Sequence, residues 1–171
     1  MIYLDANATT PVDPAVLEAM LPFLREHYAN PSASYAAGRR VRRAIEQARG
    51  QVAALLNAHL GEITFTSGGT ESINAVHASV RALWPEKPEL IITGTEHAAV
   101  LESARRWQAE GGKVTRVPVH SDGRVDLNAL HSLVRPGVTA LVSIMWANNE
   151  TGVLAPMHEI VTLAHAAGAL V

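Results

Sequence analysis

The feature that most constrains the fold is the alternation of short apolar segments with helical patterns from residue 62 onward. Apolar segments with the character of β-strands occur at 62–66, 90–93, 113–119 and 139–145. The last of these is nearly continuous in apolar residues, as expected for a strand buried on both faces. Helical patterns separate the strands, at 70–83, 97–109, 127–134 and 156–167. This order predicts an α/β fold with a mostly parallel sheet and flanking helices.

The first 61 residues carry a different pattern. Residues 1–13 read as an extended arm, and Asp13-Pro14 then begins a helix, because Asp is a good N-cap and proline fits the first helical turn. An amphipathic helix follows, with apolar residues spaced by three and four between 41 and 55. At the other end of the chain, residues 168–171 have the pattern of the first residues of another buried strand, so we expect the sequence to be interrupted there.

Composition and charge exclude several classes of function. The 171 residues contain no cysteine, which excludes a disulfide scaffold, a thiolate metal site and a cysteine nucleophile within them. They contain two lysines, Lys87 and Lys113. The histidines other than His97 lack the spacing of metal ligands, so no metal site is expected.

The charge and hydropathy also bear on partners and location. A formal net charge of −2 gives no reason to expect nucleic acid or a membrane surface as a partner. No apolar run approaches the roughly 20 residues that span a bilayer. The first residues form no export signal. We therefore expect a soluble, cytoplasmic protein.

A glycine-rich turn between a predicted strand and a predicted helix is the strongest local signal for a ligand site. Its sequence, at residues 66–72, is Thr-Ser-Gly-Gly-Thr-Glu-Ser. The glycines permit a close backbone approach, and the following helix N-terminus offers a phosphate unpaired N–H groups and the positive end of the helix dipole. The segment matches neither the nucleotide P-loop nor the dinucleotide fingerprint. The alternative is a plain strand-to-helix turn in which Thr70 or Ser67 caps the helix.

Two further polar segments follow predicted strands. His97 comes directly after the 90–93 strand, and an amide-rich loop at 146–152 follows the 139–145 strand. Because ligands of parallel α/β sheets gather at the carboxyl ends of the strands, the three segments predict one shared site. An imidazole there could stack on an aromatic ligand or move protons near neutral pH. Taken singly, His97 could be a solvated helix residue and the loop a turn closed by Gly152.

Several short motifs occur together along the chain. They are Tyr-Leu-Asp at 3–5 with Ala-Thr-Thr-Pro at 8–11, Asn-Pro-Ser at 30–32, Phe-Thr-Ser-Gly-Gly-Thr-Glu-Ser at 65–72, Thr-Glu-His at 95–97 with Ala-Val-Leu at 99–101, and Ser-Ile-Met at 143–145 before Asn-Asn-Glu-Thr-Gly at 148–152. In this order they resemble the pyridoxal-phosphate-dependent cysteine desulfurases of the class V aminotransferase family. The loop at 146–152 and Met-Leu-Pro-Phe at 20–23 are most similar to the nitrogen-fixation branch, which supplies sulfur for nitrogenase iron–sulfur clusters.

The resemblance implies a fold and a domain division. The fold is the large domain of the fold-type-I transferases that depend on pyridoxal 5′-phosphate, a mostly parallel sheet with flanking helices, here truncated. Residues 1–13 would be an arm that belongs to the family's small domain. Residues 14–171 would be the first part of the large, cofactor-binding domain.

The resemblance also implies roles for four residues. Gly69 and Thr70 would hold the cofactor phosphate at the helix N-terminus. His97 would stack on the pyridine ring and assist proton transfer, which makes it the expected catalytic residue of this chain. Asn149 would hydrogen-bond either the phenolic oxygen of the ring or the carboxylate of the substrate.

The family reaction converts L-cysteine to L-alanine and leaves sulfur as a persulfide on an enzyme cysteine. The sulfur then passes to an iron–sulfur scaffold protein, and family members work as homodimers. Family members also carry a lysine that binds the cofactor covalently as a Schiff base. Neither Lys87 nor Lys113 matches the motif of that lysine, and no cysteine is present. We therefore expect a fragment that is inactive alone.

Three alternatives remain at the level of sequence. Two are enzymes of the same fold, a selenocysteine lyase and a small-amino-acid aminotransferase. The third is a remnant without catalytic activity that binds a phosphate ligand or a partner protein.

Overall fold

The computed structural model describes residues 2–171. Contacts between Cα atoms divide the chain into an N-terminal unit, Met1–Phe65, and a C-terminal unit, Thr66–Val171. Within the described residues, none of the helices is both long enough and apolar enough to cross a membrane.

The N-terminal unit contains two α-helices, Pro14–Arg25 (α1) and Ala36–Leu56 (α2). Asp13 caps α1 as predicted, since its carboxylate accepts a hydrogen bond of 2.8 Å from the backbone N–H of Ala15. The amphipathic pattern between 41 and 55 lies within α2, so that prediction is confirmed as well.

The predicted strand at 62–66 is wrong. A single 3₁₀ turn, Leu60–Glu62, is followed by irregular backbone. A strand needs a neighbour to pair its backbone N–H and C=O groups, and within residues 2–171 no strand pairs with this segment. Side-chain contacts hold the segment instead, because the Arg49 guanidinium donates to the carbonyl of Ile63 and lies 5.1 Å from the centre of the Phe65 ring.

The C-terminal unit is built on a parallel sheet, which confirms the predicted fold class. Its strands are Glu89–Thr93 (β1), Lys113–Val117 (β2) and Thr139–Ser143 (β3), in the order β2-β1-β3. All five residues of the central strand β1 are buried. Beyond β3, Leu170 forms a parallel bridge with Leu141, so the segment predicted to begin another strand does pair with the sheet.

Four α-helices accompany the sheet: Gly69–Leu83 (α3), Ala98–Ala109 (α4), Leu127–Leu133 (α5) and Met157–Ala166 (α6). Leu90 and Ile92 of β1 pack in one apolar cluster with α3 and α4. Ile91 points to the opposite face and packs in a second cluster with α5 and α6. The side-chain alternation of a strand therefore produces three layers, helices, sheet and helices.

Candidate functional site

The glycine-rich turn leads into α3 without a side-chain cap. The N-cap residue is Gly68, and in the described part of the chain no side-chain hydrogen bond caps the helix, so neither Thr70 nor Ser67 is its cap. Gly69 and Thr70 are the first two residues of α3, and both are exposed. The N–H groups of this turn are therefore available to an anion at the positive end of the helix dipole.

Hydrogen bonds within the turn fix its shape. The Glu71 carboxylate accepts a hydrogen bond of 2.6 Å from the backbone N–H of Ser67, and the hydroxyls of Thr66 and Ser72 lie 2.7 Å apart. Hydrogen bonds from Ser67 lower the pKa of Glu71 below its ordinary value. The ionised Glu71 carboxylate, in the first turn of α3, thus binds the backbone of Ser67, which precedes the two glycines.

His97 is the N-cap of α4, directly after the carboxyl end of β1. Its Nδ1 atom accepts a hydrogen bond of 3.1 Å from the backbone N–H of Ala99. A ring nitrogen that accepts a hydrogen bond carries no proton, so the neutral imidazole carries its proton on Nε2. The cap orients the exposed ring and assigns Nε2 as the atom that can donate to a ligand.

Glu96 is a functional candidate that the sequence reasoning missed. Its side chain is buried, and its carboxylate accepts a hydrogen bond of 2.7 Å from the Thr93 hydroxyl and bonds of 3.1 and 3.2 Å from the backbone N–H of Met145. Burial raises the pKa of Glu96, although these hydrogen bonds oppose the shift. The available signal was its place beside His97 at the end of a buried strand.

The amide-rich loop after β3 is joined to the His97 segment. The Asn148 side-chain amide donates a hydrogen bond of 3.1 Å to the carbonyl of Thr95, and its oxygen accepts from the backbone N–H groups of Glu150 and Thr151, each at 2.9 Å. Asn149 lies in the same loop and is exposed. Two of the three predicted segments therefore meet at the carboxyl ends of β1 and β3.

The helix that follows the third segment, α3, contacts β3 through a buried histidine. Nε2 of His77, on α3, lies 3.1 Å from the hydroxyl of Ser143, the last residue of β3. Burial lowers the pKa of His77. The sequence reasoning grouped His77 with histidines that lack metal spacing and gave it no further role.

Neither lysine lies at the carboxyl ends of the strands. Lys113 is the first residue of β2, and its Nζ atom lies 2.8 Å from the carboxylate of Glu89, the first residue of β1. Lys87 donates a hydrogen bond of 2.8 Å to the carbonyl of Gly168 after α6. Both lysines therefore have structural contacts away from the candidate site.

The fold and this edge of the sheet define the class of protein. The family model described as aminotransferase class-V matches residues 2–171, so the chain belongs to the class V aminotransferase family. Family members of this kind depend on pyridoxal 5′-phosphate.

Among the proteins similar in sequence are two cysteine desulfurases. Cysteine desulfurase 2 of Trichormus variabilis is 50% identical over 170 residues, which are 99% of this chain and 42% of that protein. The cysteine desulfurase of Rattus norvegicus is 48% identical over 161 residues, 93% of this chain and 36% of that protein. The chain thus spans less than half the length of these relatives.

Solved structures agree on the fold. A NifS-like protein superposes with a TM-score of 0.90 at 43% identity, over 95% of this chain and 44% of that chain. The structure of SspA in complex with cysteine superposes with a TM-score of 0.90 at 33% identity, over 98% of this chain and 48% of that chain.

The residues at this edge fit a phosphorylated pyridine. The uncapped first turn of α3 supplies donors for a phosphate, and a β-carbon added at Gly68 or Gly69 would meet no atom within 4 Å, so the turn is open to a ligand. The exposed imidazole of His97 and the exposed amide of Asn149 can meet an aromatic ring with polar substituents.

Proposed function

We propose that this chain is the phosphate-binding and ring-binding part of a cysteine desulfurase. The observation that carries the proposal is the joining of the His97 segment to the Asn149 loop, through the hydrogen bonds of Glu96 and Asn148, at the carboxyl ends of β1 and β3. Ligands of parallel sheets bind at this edge. The names of the relatives favour cysteine over selenocysteine or alanine as the substrate.

Gly69 and Thr70 hold the cofactor phosphate in this proposal. The backbone N–H groups of the first turn of α3 and the Thr70 hydroxyl donate to the phosphate oxygens. The helix dipole adds a favourable interaction with the negative charge.

His97 and Asn149 contact the pyridine ring or the substrate. The bound cofactor acts as an electron sink that makes the α-proton of the amino acid acidic. His97 lies against the ring, donates from Nε2 and assists proton transfer, while its Nδ1 atom keeps the bond from the Ala99 N–H. Asn149 donates to the phenolic oxygen of the ring or to the carboxylate of the amino acid.

The proposal extends to the intact protein. L-cysteine would be converted to L-alanine, and the sulfur would pass from an enzyme persulfide to an iron–sulfur scaffold protein, with nitrogenase as a specific recipient. The intact protein would be a cytoplasmic homodimer, with residues 1–13 in its small domain and 14–171 in its large domain. The 171 residues alone would not turn over cysteine, since they contain no sulfur-accepting cysteine.

A titration tests the binding site. Pyridoxine 5′-phosphate is a suitable probe, because its alcohol replaces the aldehyde and cannot bond to Lys87 or Lys113. In NMR spectra of the 171-residue chain, we expect it to shift the amide signals of Gly69 and Thr70 and the ring signals of His97. Replacing Thr70→Val should weaken its affinity about tenfold, the typical loss for one hydrogen bond to a charged group.

Thr162→Val is the matched control, because Thr162 is exposed on α6 and its hydroxyl donates to the carbonyl of His158. This variant should bind the probe like the unaltered chain. Absence of the shifts in the unaltered chain would refute the cofactor site. In a separate assay with pyridoxal 5′-phosphate and L-cysteine, the chain should release no sulfide, and turnover would show that the 171 residues are sufficient for activity.

A further inference from the structure

Glu96 is a buried carboxylate, and within residues 2–171 no cationic side chain forms a salt bridge with it. It is 6% exposed, and the residues that line the small cavity of about 20 Å³ next to it carry no other titratable side chain. Removing a carboxylate from water costs free energy unless hydrogen bonds or a charge compensate. For Glu96, hydrogen bonds from neutral donors are the compensation that the structure provides.

Those hydrogen bonds join two separate parts of the sheet edge. Thr93 is the last residue of β1, while Met145 follows β3 by two residues. Both carboxylate oxygens of Glu96 lie within 3.2 Å of the Met145 nitrogen, and one of them also accepts from the Thr93 hydroxyl. The carboxylate therefore fixes the exit of β3 relative to the exit of β1.

The two chain segments held in this way carry the ring-contacting residues. His97 is adjacent to Glu96, and Asn149 lies four residues after Met145. The bond from Asn148 to the carbonyl of Thr95 is a second tie between the same segments, but it is exposed to solvent. A buried bond is more resistant to competition by water than an exposed one. Glu96 is thus the buried side-chain link between the two sides of the ring site, beyond the last paired residues of β1 and β3.

We propose that Glu96 is a positioning residue, whose carboxylate holds the His97 segment and the Asn149 loop at the separation that a pyridine ring requires. This inference rests on the proposed function. Glu96 would support the residues that contact the pyridine ring, and not the turn that binds the phosphate. The reason is that its hydrogen bonds lie at the carboxyl ends of β1 and β3, and none of them involves the turn before α3.

Two probes separate these parts of the site. Pyridoxine 5′-phosphate reports on the phosphate and the ring together, and inorganic phosphate reports on the first turn of α3 alone. Replacing Glu96→Ala should weaken the affinity for pyridoxine 5′-phosphate about tenfold, as expected when hydrogen bonds to a charged group are lost. The affinity for inorganic phosphate, followed by the amide shifts of Gly69 and Thr70, should change less than about twofold.

The conservative variant Glu96→Gln should recover most of the lost affinity, because its amide oxygen can still accept from the Met145 N–H. Glu102→Gln is the matched control, since Glu102 is an exposed glutamate on α4 paired with Arg105, and it should bind both probes normally. If Glu96→Ala does not fold, as judged by circular dichroism, the variant Thr93→Val tests the positioning role instead. It removes one hydrogen-bond donor to Glu96 and should weaken the affinity for pyridoxine 5′-phosphate but not for inorganic phosphate.

The possible outcomes are distinguishable. Equal affinity of the unaltered chain and of Thr93→Val or Glu96→Ala for pyridoxine 5′-phosphate would overturn the positioning role and leave the cofactor site intact. Equal weakening of both probes would also overturn it, since it would indicate a general structural defect. If the unaltered chain binds inorganic phosphate but not pyridoxine 5′-phosphate, both the proposed function and this inference fail.

Discussion

At the residue scale, burial of titratable side chains determines how this protein responds to pH. His77 and Glu96 are 3% and 6% exposed, and burial is the largest cause of both pKa shifts. The two shifts have opposite directions because burial disfavours the charged form, which is the protonated form of histidine and the deprotonated form of glutamate.

His77 should make folding stability fall as the pH decreases. Its pKa in the folded state lies below the ordinary value of 6.5, so the unfolded chain binds more protons between the two values. Stability is therefore present above about pH 6.5 and is lost as the pH falls toward the folded-state pKa. Urea denaturation at a series of pH values between 7 and 5 should show this loss.

The variant His77→Gln should flatten this pH dependence while its amide can still bond to Ser143. The exposed His131 on α5 provides the control, and His131→Gln should keep the slope of the unaltered chain. Identical slopes for His77→Gln and the unaltered chain would argue that another group is responsible.

At the element scale, a buried carboxylate joins the amino ends of the three strands. Glu89 on β1 is 1% exposed. Its carboxylate interacts with Lys113 and Thr115 on β2, and with Thr139 on β3 and Arg135 just before it. Burial opposes ionisation of Glu89, but the hydrogen bonds from these four residues together outweigh it and lower the pKa to about 2.

Glu89→Gln should lower the free energy of unfolding by about 2 kcal/mol at pH 7, because hydrogen bonds to a charged group are lost. The folded-state pKa is lower than the ordinary value of 4.5. The stabilisation is therefore present above about pH 4.5 and lost as the pH falls toward 2.

Chemical denaturation between pH 7 and pH 3 measures both effects. The unaltered chain should lose stability more steeply than the variant in the acidic part of this range. Glu102→Gln, in an exposed pair with Arg105, should change stability by less than about 0.5 kcal/mol. A Glu89→Gln variant as stable as the unaltered chain would contradict the stabilising role proposed for the hydrogen bonds and ion pairs of Glu89.

Helices and strands were predicted correctly from the sequence where the local pattern needs no distant partner or where the structure supplies one. The predicted helix cap Asp13 does accept a backbone hydrogen bond at the start of α1. The segment at 62–66 has strand-like residues but no paired neighbour among the described strands. Alternating apolar residues favour an extended backbone. A strand also needs a neighbouring strand that pairs with its backbone N–H and C=O groups.

At the scale of the whole molecule, the two units differ in how much core they contain. Within residues 2–65, only Gly38 and Ala53 are buried. On α1, Val16, Leu17 and Met20 are 44–51% exposed. The strands β1 and β3 of the C-terminal unit, in contrast, are almost completely buried.

Hydrogen exchange should therefore distinguish the units. Amides of α1 and α2 should exchange at least about 100-fold faster than those of β1 and β3, since local opening exposes little apolar surface in the first unit and much in the second. Exchange of the 171-residue chain followed by mass spectrometry of peptides gives both rates in one experiment. Equal protection of α2 and β1 would contradict this expectation.

The sequence by itself determined the local elements and the types of residue at the candidate site. The patterns of residues 66–171 predicted a parallel α/β sheet and three polar segments at one shared site. The resemblance to a family then implied roles for Gly69, Thr70, His97 and Asn149 within those segments. Strand ends and helix caps depend on neighbouring residues, so they can be read along the chain.

Only the tertiary structure decided which segments meet and which buried groups join them. The bonds of Glu96 to Met145 and of His77 to Ser143 connect residues 49 and 66 positions apart. The local sequence gives no sign of the burial of His77, and for Glu96 the only signal is its place beside His97 at the end of a buried strand. Their burial and their partners arise only when distant elements pack together, because burial and hydrogen-bond geometry are properties of the assembled layers.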